Sequence, residues 1–140
     1  MEKIKVLITE DNPKMAYLIE KLLGKTFYNP NQEMRIVCEF TRTSSVSDTR
    51  IRIEHEEFDL IYLDGTLKNN MSTLPLIPKI YKNNLGATVF ILSANPNFLI
   101  KATNCFDPTM CFMKHVENFE QIISAKDLET IRLKIVEKNS

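Results

Sequence analysis

Apolar residues along this chain follow two rhythms. Short unbroken runs that end on polar residues alternate with stretches where apolar positions recur every three or four residues. One run is Lys5-Val6-Leu7-Ile8-Thr9, which stops at Glu10-Asp11-Asn12-Pro13. A second is Phe58-Asp59-Leu60-Ile61-Tyr62-Leu63, which stops at Asp64-Gly65-Thr66. Ala87-Thr88-Val89-Phe90-Ile91-Leu92 stops at Ser93-Ala94-Asn95, and Met110-Cys111-Phe112-Met113 stops at Lys114. Runs of this length between turn residues fit strands buried on both faces, as in a parallel sheet. Residues 34–40 add a further strand, second in chain order.

Between the runs the period changes. Met15, Leu18, Ile19, Leu22 and Leu23 share one helical face, with Asn12 as cap, Pro13 in the first turn and Gly24 as stop. Thr43-Ser44-Ser45 offers caps for a second helix to about Glu57, whose apolar face is thin (Val46, Ile51, Ile53). Residues 74–81 predict a third helix despite Pro75 and Pro78, and 97–104 a short fourth. Ser124 caps a last helix to about Lys138, with Asp127 three residues on. A turn or short helix is expected just before it, and loops over 26–33 and 65–72. Strands alternating with helices predict an α/β fold with a doubly wound parallel sheet.

Size and composition narrow the class. The chain has 140 residues and reads as one domain, 1–140, with a single core. Its 18 basic and 18 acidic side chains cancel, so no net field draws it to nucleic acid or to an anionic membrane. No apolar stretch approaches the ~20 residues needed to span a bilayer. The first strand begins at the N-terminus and leaves no room for a signal peptide. Cys38, Cys105 and Cys111 are an odd number without metal-ligand spacing. They read as buried thiols of a protein expected in the cytoplasm.

The residues at the strand ends carry the chemistry. In open α/β sheets, ligands bind just outside the carboxyl ends of the strands. Glu10 and Asp11 follow the first strand, Asp64 the third, Ser93 the fourth and Lys114 the fifth. Three carboxylates on one rim repel one another unless a cation sits among them. Hard oxygen donors with places left for water suit Mg²⁺, commonly held by one or two carboxylates plus a phosphate. Lys114 supplies a point charge for phosphate oxygens and Ser93 a hydroxyl. Asp64 is then the natural nucleophile, because carboxylates form aspartyl-phosphates.

With these residues the chain resembles the response-regulator receiver domain over nearly its whole length. The matching pieces are Ile4 to Asn12, Phe58 to Asp64, Val89 to Ala94 and Phe112-Met113-Lys114. The resemblance implies a flavodoxin-like three-layer sandwich around a five-stranded parallel sheet in the order 2-1-3-4-5. It implies that Asp64 accepts a phosphoryl group from a sensor histidine kinase or a phosphotransfer protein. Glu10, Asp11, Asp64 and the backbone carbonyl of Thr66 would hold Mg²⁺. Ser93 and Lys114 would match the switch hydroxyl and the phosphate-binding lysine. The chain departs from the family in three places. The loop after Asp64 lacks proline, His115 follows the lysine where proline is usual, and Cys111 replaces the switch aromatic.

Two functions from different classes follow. The first is a stand-alone phosphoacceptor that is not an enzyme in its own right. With no output domain before the end at Ser140, it signals through protein–protein contacts, a second copy of the chain being one such partner. The alternative is a degenerate receiver acting as a phosphorylation-independent scaffold. Asp64-Gly65-Thr66-Leu67 also resembles the core of haloacid-dehalogenase-type phosphatases, but those need their nucleophilic aspartate where Tyr62 stands.

Overall fold

A computed structural model describes residues 2–24, 26–28, 35–107, 110–113, 115–117, 120–122 and 124–138. The apolar runs are strands and the periodic stretches are helices. In chain order the elements are β1 (Glu2–Thr9), α1 (Pro13–Leu23), β2 (Thr26–Tyr28), β3 (Arg35–Thr43), α2 (Val46–His55) and β4 (Leu60–Asp64). They continue with β5 (Thr66–Leu67), β6 (Met71–Ser72), α3 (Ile77–Asn83), β7 (Thr88–Ser93) and α4 (Pro96–Thr103). Last come β8 (Cys111–Met113), β9 (His115–Glu117), β10 (Glu120–Ile122) and α5 (Ala125–Lys138).

The main sheet runs β2-β3-β1-β4-β7-β8. Its five parallel strands stand in the expected 2-1-3-4-5 order, with Thr9 beside Thr43 and Leu63, and Asp64 beside Leu92. The sixth strand is a correction. Thr26-Phe27-Tyr28, expected as loop, pairs antiparallel with β3. A β-branched and two aromatic residues suit a strand, and the nine-residue β3 offers a free edge to pair with. Two further expectations change in the same way. The loop after Asp64 closes into the small antiparallel pair β5–β6, and the segment before α5 forms the hairpin β9–β10 rather than a turn or helix.

Side chains alternate across the strands, so the core is split by the sheet. On one face Ile4, Val6, Ile8, Tyr62 and Phe90 meet Met15, Ile19 and Leu23 of α1 and Ile131 and Ile135 of α5. On the other, Leu7, Ile61, Leu63 and Ile91 meet Ile53 of α2, Leu76 and Ile80 near α3, and Phe98 and Ala102 of α4. This is the three-layer, doubly wound arrangement. Helix α1 starts as expected, with Asn12 Oδ1 accepting from the Lys14 amide at 3.0 Å. It ends at Gly24, whose φ of 81° favours glycine. In α2 the expected face shifts: Ile51 is exposed, while Thr49 and Ile53 are buried. Asn84 locks the opposite end of the sheet, accepting from the Phe58 amide and donating to the Ile53 and Glu56 carbonyls. Among the described residues no helix is long and apolar enough to cross a membrane.

Candidate functional site

Parallel order puts the ends of β1, β4 and β7 on one rim, and Glu10, Asp11, Asp64 and Ser93 lie there. Glu10 follows β1 directly and its amide donates to the Thr43 carbonyl at 3.0 Å, which fixes the backbone where the chain leaves the sheet. Glu10 and Asp64 are almost fully buried, 4% and 3% exposed, whereas Asp11 is open to solvent. One carboxylate oxygen from each of Glu10, Asp11 and Asp64 lies within 4.8 Å of the others. Buried carboxylates are costly in the ionised form, and three together repel at this range. A divalent cation removes both penalties, and an all-oxygen donor set with one exposed side matches a hard ion such as Mg²⁺. Among the described residues this is the one acid, cysteine or histidine cluster that could hold a metal.

Tyr62 sits beneath the cluster. Its ring is fully buried and stacked on Phe90, centroids 5.0 Å apart, and its hydroxyl donates to Glu10 Oε1 at 3.5 Å. Burial above all, then the charges of Glu10 and Asp64, push the phenol well above its usual range, so it stays a neutral donor. Thr9, also fully buried, donates to the Tyr62 carbonyl at 2.8 Å and accepts from the Asp64 amide at 3.3 Å.

Ser93 ends β7, is 3% exposed, and accepts from the Asn95 amide at 3.0 Å. The α4 cap itself is Asn95, whose side chain accepts from the Asn97 amide. Ser93 packs against Gly65. A Cβ there would lie 2.5 Å from Ser93 Oγ, 3.0 Å from Ser93 Cβ and 3.2 Å from Phe98 Cδ1. Glycine is required at this point because the serine side chain occupies the space. Gly65→Ala is expected to cost roughly 1–3 kcal/mol in denaturant unfolding, and adding Ser93→Gly is expected to recover much of it. An unchanged unfolding midpoint would contradict the close approach.

Thr66 opens β5, paired with Ser72 and exposed. Lys114 lies outside the described residues, as does the side chain of His115. The cysteines are less uniformly buried than expected: Cys38 is buried, Cys105 and Cys111 only partly. Burial, reinforced by the charge of Asp107, raises the Cys111 thiol to about 11, and burial raises Cys38 to a similar value despite Arg132. Both are therefore neutral thiols and weak nucleophiles at ordinary pH.

Sequence reasoning missed Thr9, Tyr62 and Thr73 as parts of the site. Tyr62 left a signal, a polar tip among the aliphatic Leu60, Ile61 and Leu63. Thr73 left none, since it reaches the site only through the turn of the β5–β6 pair.

The sequence matches no protein-family profile and no curated protein. Solved structures are similar over nearly its full length. A CheY-like response regulator receiver domain protein from Methanospirillum hungatei JF-1 superposes with a TM-score of 0.68 at 20% identity, covering 99% of this chain and 98% of that one. A CheY-like receiver domain from Methylobacillus flagellatus gives 0.67 at 20% identity, with 96% and 99% covered. A response regulator protein from Burkholderia pseudomallei, described with a phosphorylated aspartic acid and a calcium ion, gives 0.61 at 15% identity, with 98% and 75% covered. Strand order, two-sided helix packing and these superpositions agree: the chain has the fold of the response-regulator receiver domain.

Proposed function

We propose that this protein is a phosphoacceptor module of a two-component or phosphorelay pathway, modified on Asp64. The observation that carries the reading is the convergence of Glu10, Asp11 and Asp64 on one rim of a receiver fold. The phosphorylated aspartate and cation described for the Burkholderia protein support it by analogy.

In the proposed reaction one Asp64 carboxylate oxygen attacks phosphorus. The P–N bond of a donor phosphohistidine, or the P–O bond of acetyl phosphate, breaks and the donor leaves with the bonding electron pair. Glu10, Asp11, Asp64 and the Thr66 carbonyl are the groups proposed to hold Mg²⁺, which when bound offsets the charge of the phosphoryl oxygens. The rigid rim holds the attacking carboxylate in place, with its main chain fixed by the ends of β1 and β7. Ser93 and Lys114 are proposed to receive phosphoryl oxygens, as a hydroxyl donor and a point charge. The group adds roughly two negative charges, and the output is proposed to be a change in protein–protein contact. The protein turns over no substrate in this reading. Its proposed partners are a histidine kinase or phosphotransfer protein upstream and a protein target downstream, in the cytoplasm.

The scaffold alternative rests on Cys111, partly buried on β8, which stands where the family carries its switch aromatic. The deciding experiment is intact mass after incubation with Mg²⁺ and acetyl phosphate. Gain of a single phosphoryl group is expected; no gain together with no Mg²⁺ binding would favour the scaffold.

A further inference from the structure

The main chain of Asp64 is gripped at both ends by buried hydroxyls. On its amide side, Thr9 Oγ1 accepts from the Asp64 N–H at 3.3 Å while donating to the Tyr62 carbonyl. On its carbonyl side, Thr73 Oγ1 donates to Asp64 O at 2.6 Å and lies 3.3 Å from Gly65 O. The Thr73 amide donates to the same Gly65 carbonyl at 3.1 Å, and the Gly65 amide donates to Leu92 O on β7 at 3.3 Å. Both threonines are fully buried. Two consecutive peptides, those following Asp64 and Gly65, are therefore tied to β7 and to the residue that closes the β5–β6 pair.

We infer that Thr9 and Thr73 are positioning residues that hold the Asp64 carboxylate in its place within the acid cluster, with Thr73 also fastening the start of the loop that carries Thr66. This rests on the phosphoacceptor reading of Asp64. The physical need is specific to this chain. Residues 65–72 include no proline, so no ring restricts the backbone there, and glycine at 65 adds freedom. Without some restraint the loop next to the nucleophile would sample many conformations, and each hydrogen bond removes part of that freedom. The Thr73 hydroxyl reaches back across eight residues to supply the shortest of these bonds. Burial strengthens it, because no water competes for the Asp64 carbonyl.

Thr73→Val keeps the shape and removes the hydroxyl, and Thr73→Ser keeps the hydroxyl and removes a methyl. Residues that orient a metal ligand without touching the metal typically change affinity by 10–100-fold when lost. Thr73→Val is thus expected to bind Mg²⁺ about tenfold more weakly by calorimetry and to gain phosphoryl from acetyl phosphate correspondingly more slowly. Thr73→Ser is expected to restore both. A purely structural role would lower the melting temperature of Thr73→Val and leave its Mg²⁺ affinity at the wild-type value, which would overturn the inference. Should Thr73→Val fail to fold, Thr9→Val and Thr9→Ser are read by the same criterion on the amide side. Wild-type protein that neither binds Mg²⁺ nor takes up phosphoryl would overturn the phosphoacceptor reading and the positioning role together. Wild-type activity with an unaltered Thr73→Val overturns the positioning role alone.

Discussion

Asp64→Asn is expected to gain no phosphoryl group under conditions in which the wild-type protein gains one. An amide has the shape of the carboxylate but no anionic oxygen to attack phosphorus, so the loss should be complete rather than partial. The same change removes one of three mutually repelling carboxylates from the cluster, and one of its two buried members. The main-chain bonds to Thr9 and Thr73 do not use the side chain and remain available. Asp64→Asn should therefore melt no lower than wild type in the absence of divalent cation. That pairing separates lost chemistry from lost fold. Intact mass and peptide mapping read the first, and thermal unfolding in chelator reads the second. Phosphorylation that persists in Asp64→Asn and maps to Glu10 or Asp11 would move the acceptor to another member of the cluster. Phosphorylation elsewhere would remove the cluster from the proposal.

The parallel sheet was legible because buried parallel strands leave an unmistakable trace, an apolar run with no polar face, whereas its strand order came only from the resemblance to the receiver domain. Leu60 to Leu63 and Val89 to Leu92 are buried throughout. Their ends were equally legible, since Asp64 and Ser93 interrupt the runs where each strand reaches the rim. The shared rim followed from the doubly wound sheet, and the order that the resemblance implied made β1 and β4 neighbours, so that Glu10 and Asp64 had to be near one another. What stayed hidden was structure that depends on a partner. Thr26-Phe27-Tyr28 is three residues long and becomes a strand only because β3 presents an edge. The β5–β6 and β9–β10 pairs are shorter than any periodicity can register. Thr49 took the buried place assigned to Ile51 because its hydroxyl finds the Thr43 hydroxyl at 2.7 Å and the Ser45 carbonyl at 2.7 Å, leaving no polar cost to burial. Hydroxyls of this kind are invisible to a hydrophobic pattern. Thr9, Thr43, Thr49 and Thr73, all buried, lie on the elements that frame the site.

Asp11→Ala tests the metal proposal most cleanly, because its two expected effects have opposite signs. Asp11 is exposed, unlike Glu10, which is buried and bonded to Tyr62, so its truncation creates no cavity and strands no partner. Without divalent cation the variant carries two clustered carboxylates instead of three and should unfold at or above the wild-type temperature. With Mg²⁺ the order should reverse. A direct ligand is worth no less than a residue that merely orients one, so affinity should fall by about 100-fold. At a free Mg²⁺ concentration 100 times the wild-type Kd, the bound ion stabilises the wild-type fold by about 2.7 kcal/mol. A variant whose Kd has risen 100-fold gains only about 0.4 kcal/mol at that concentration. The cation-induced rise in melting temperature should nearly vanish in Asp11→Ala while the fold itself is intact. An equal rise in both proteins would place the ion elsewhere. No rise in either, at millimolar Mg²⁺, would mean that Glu10, Asp11 and Asp64 do not form a Mg²⁺ site.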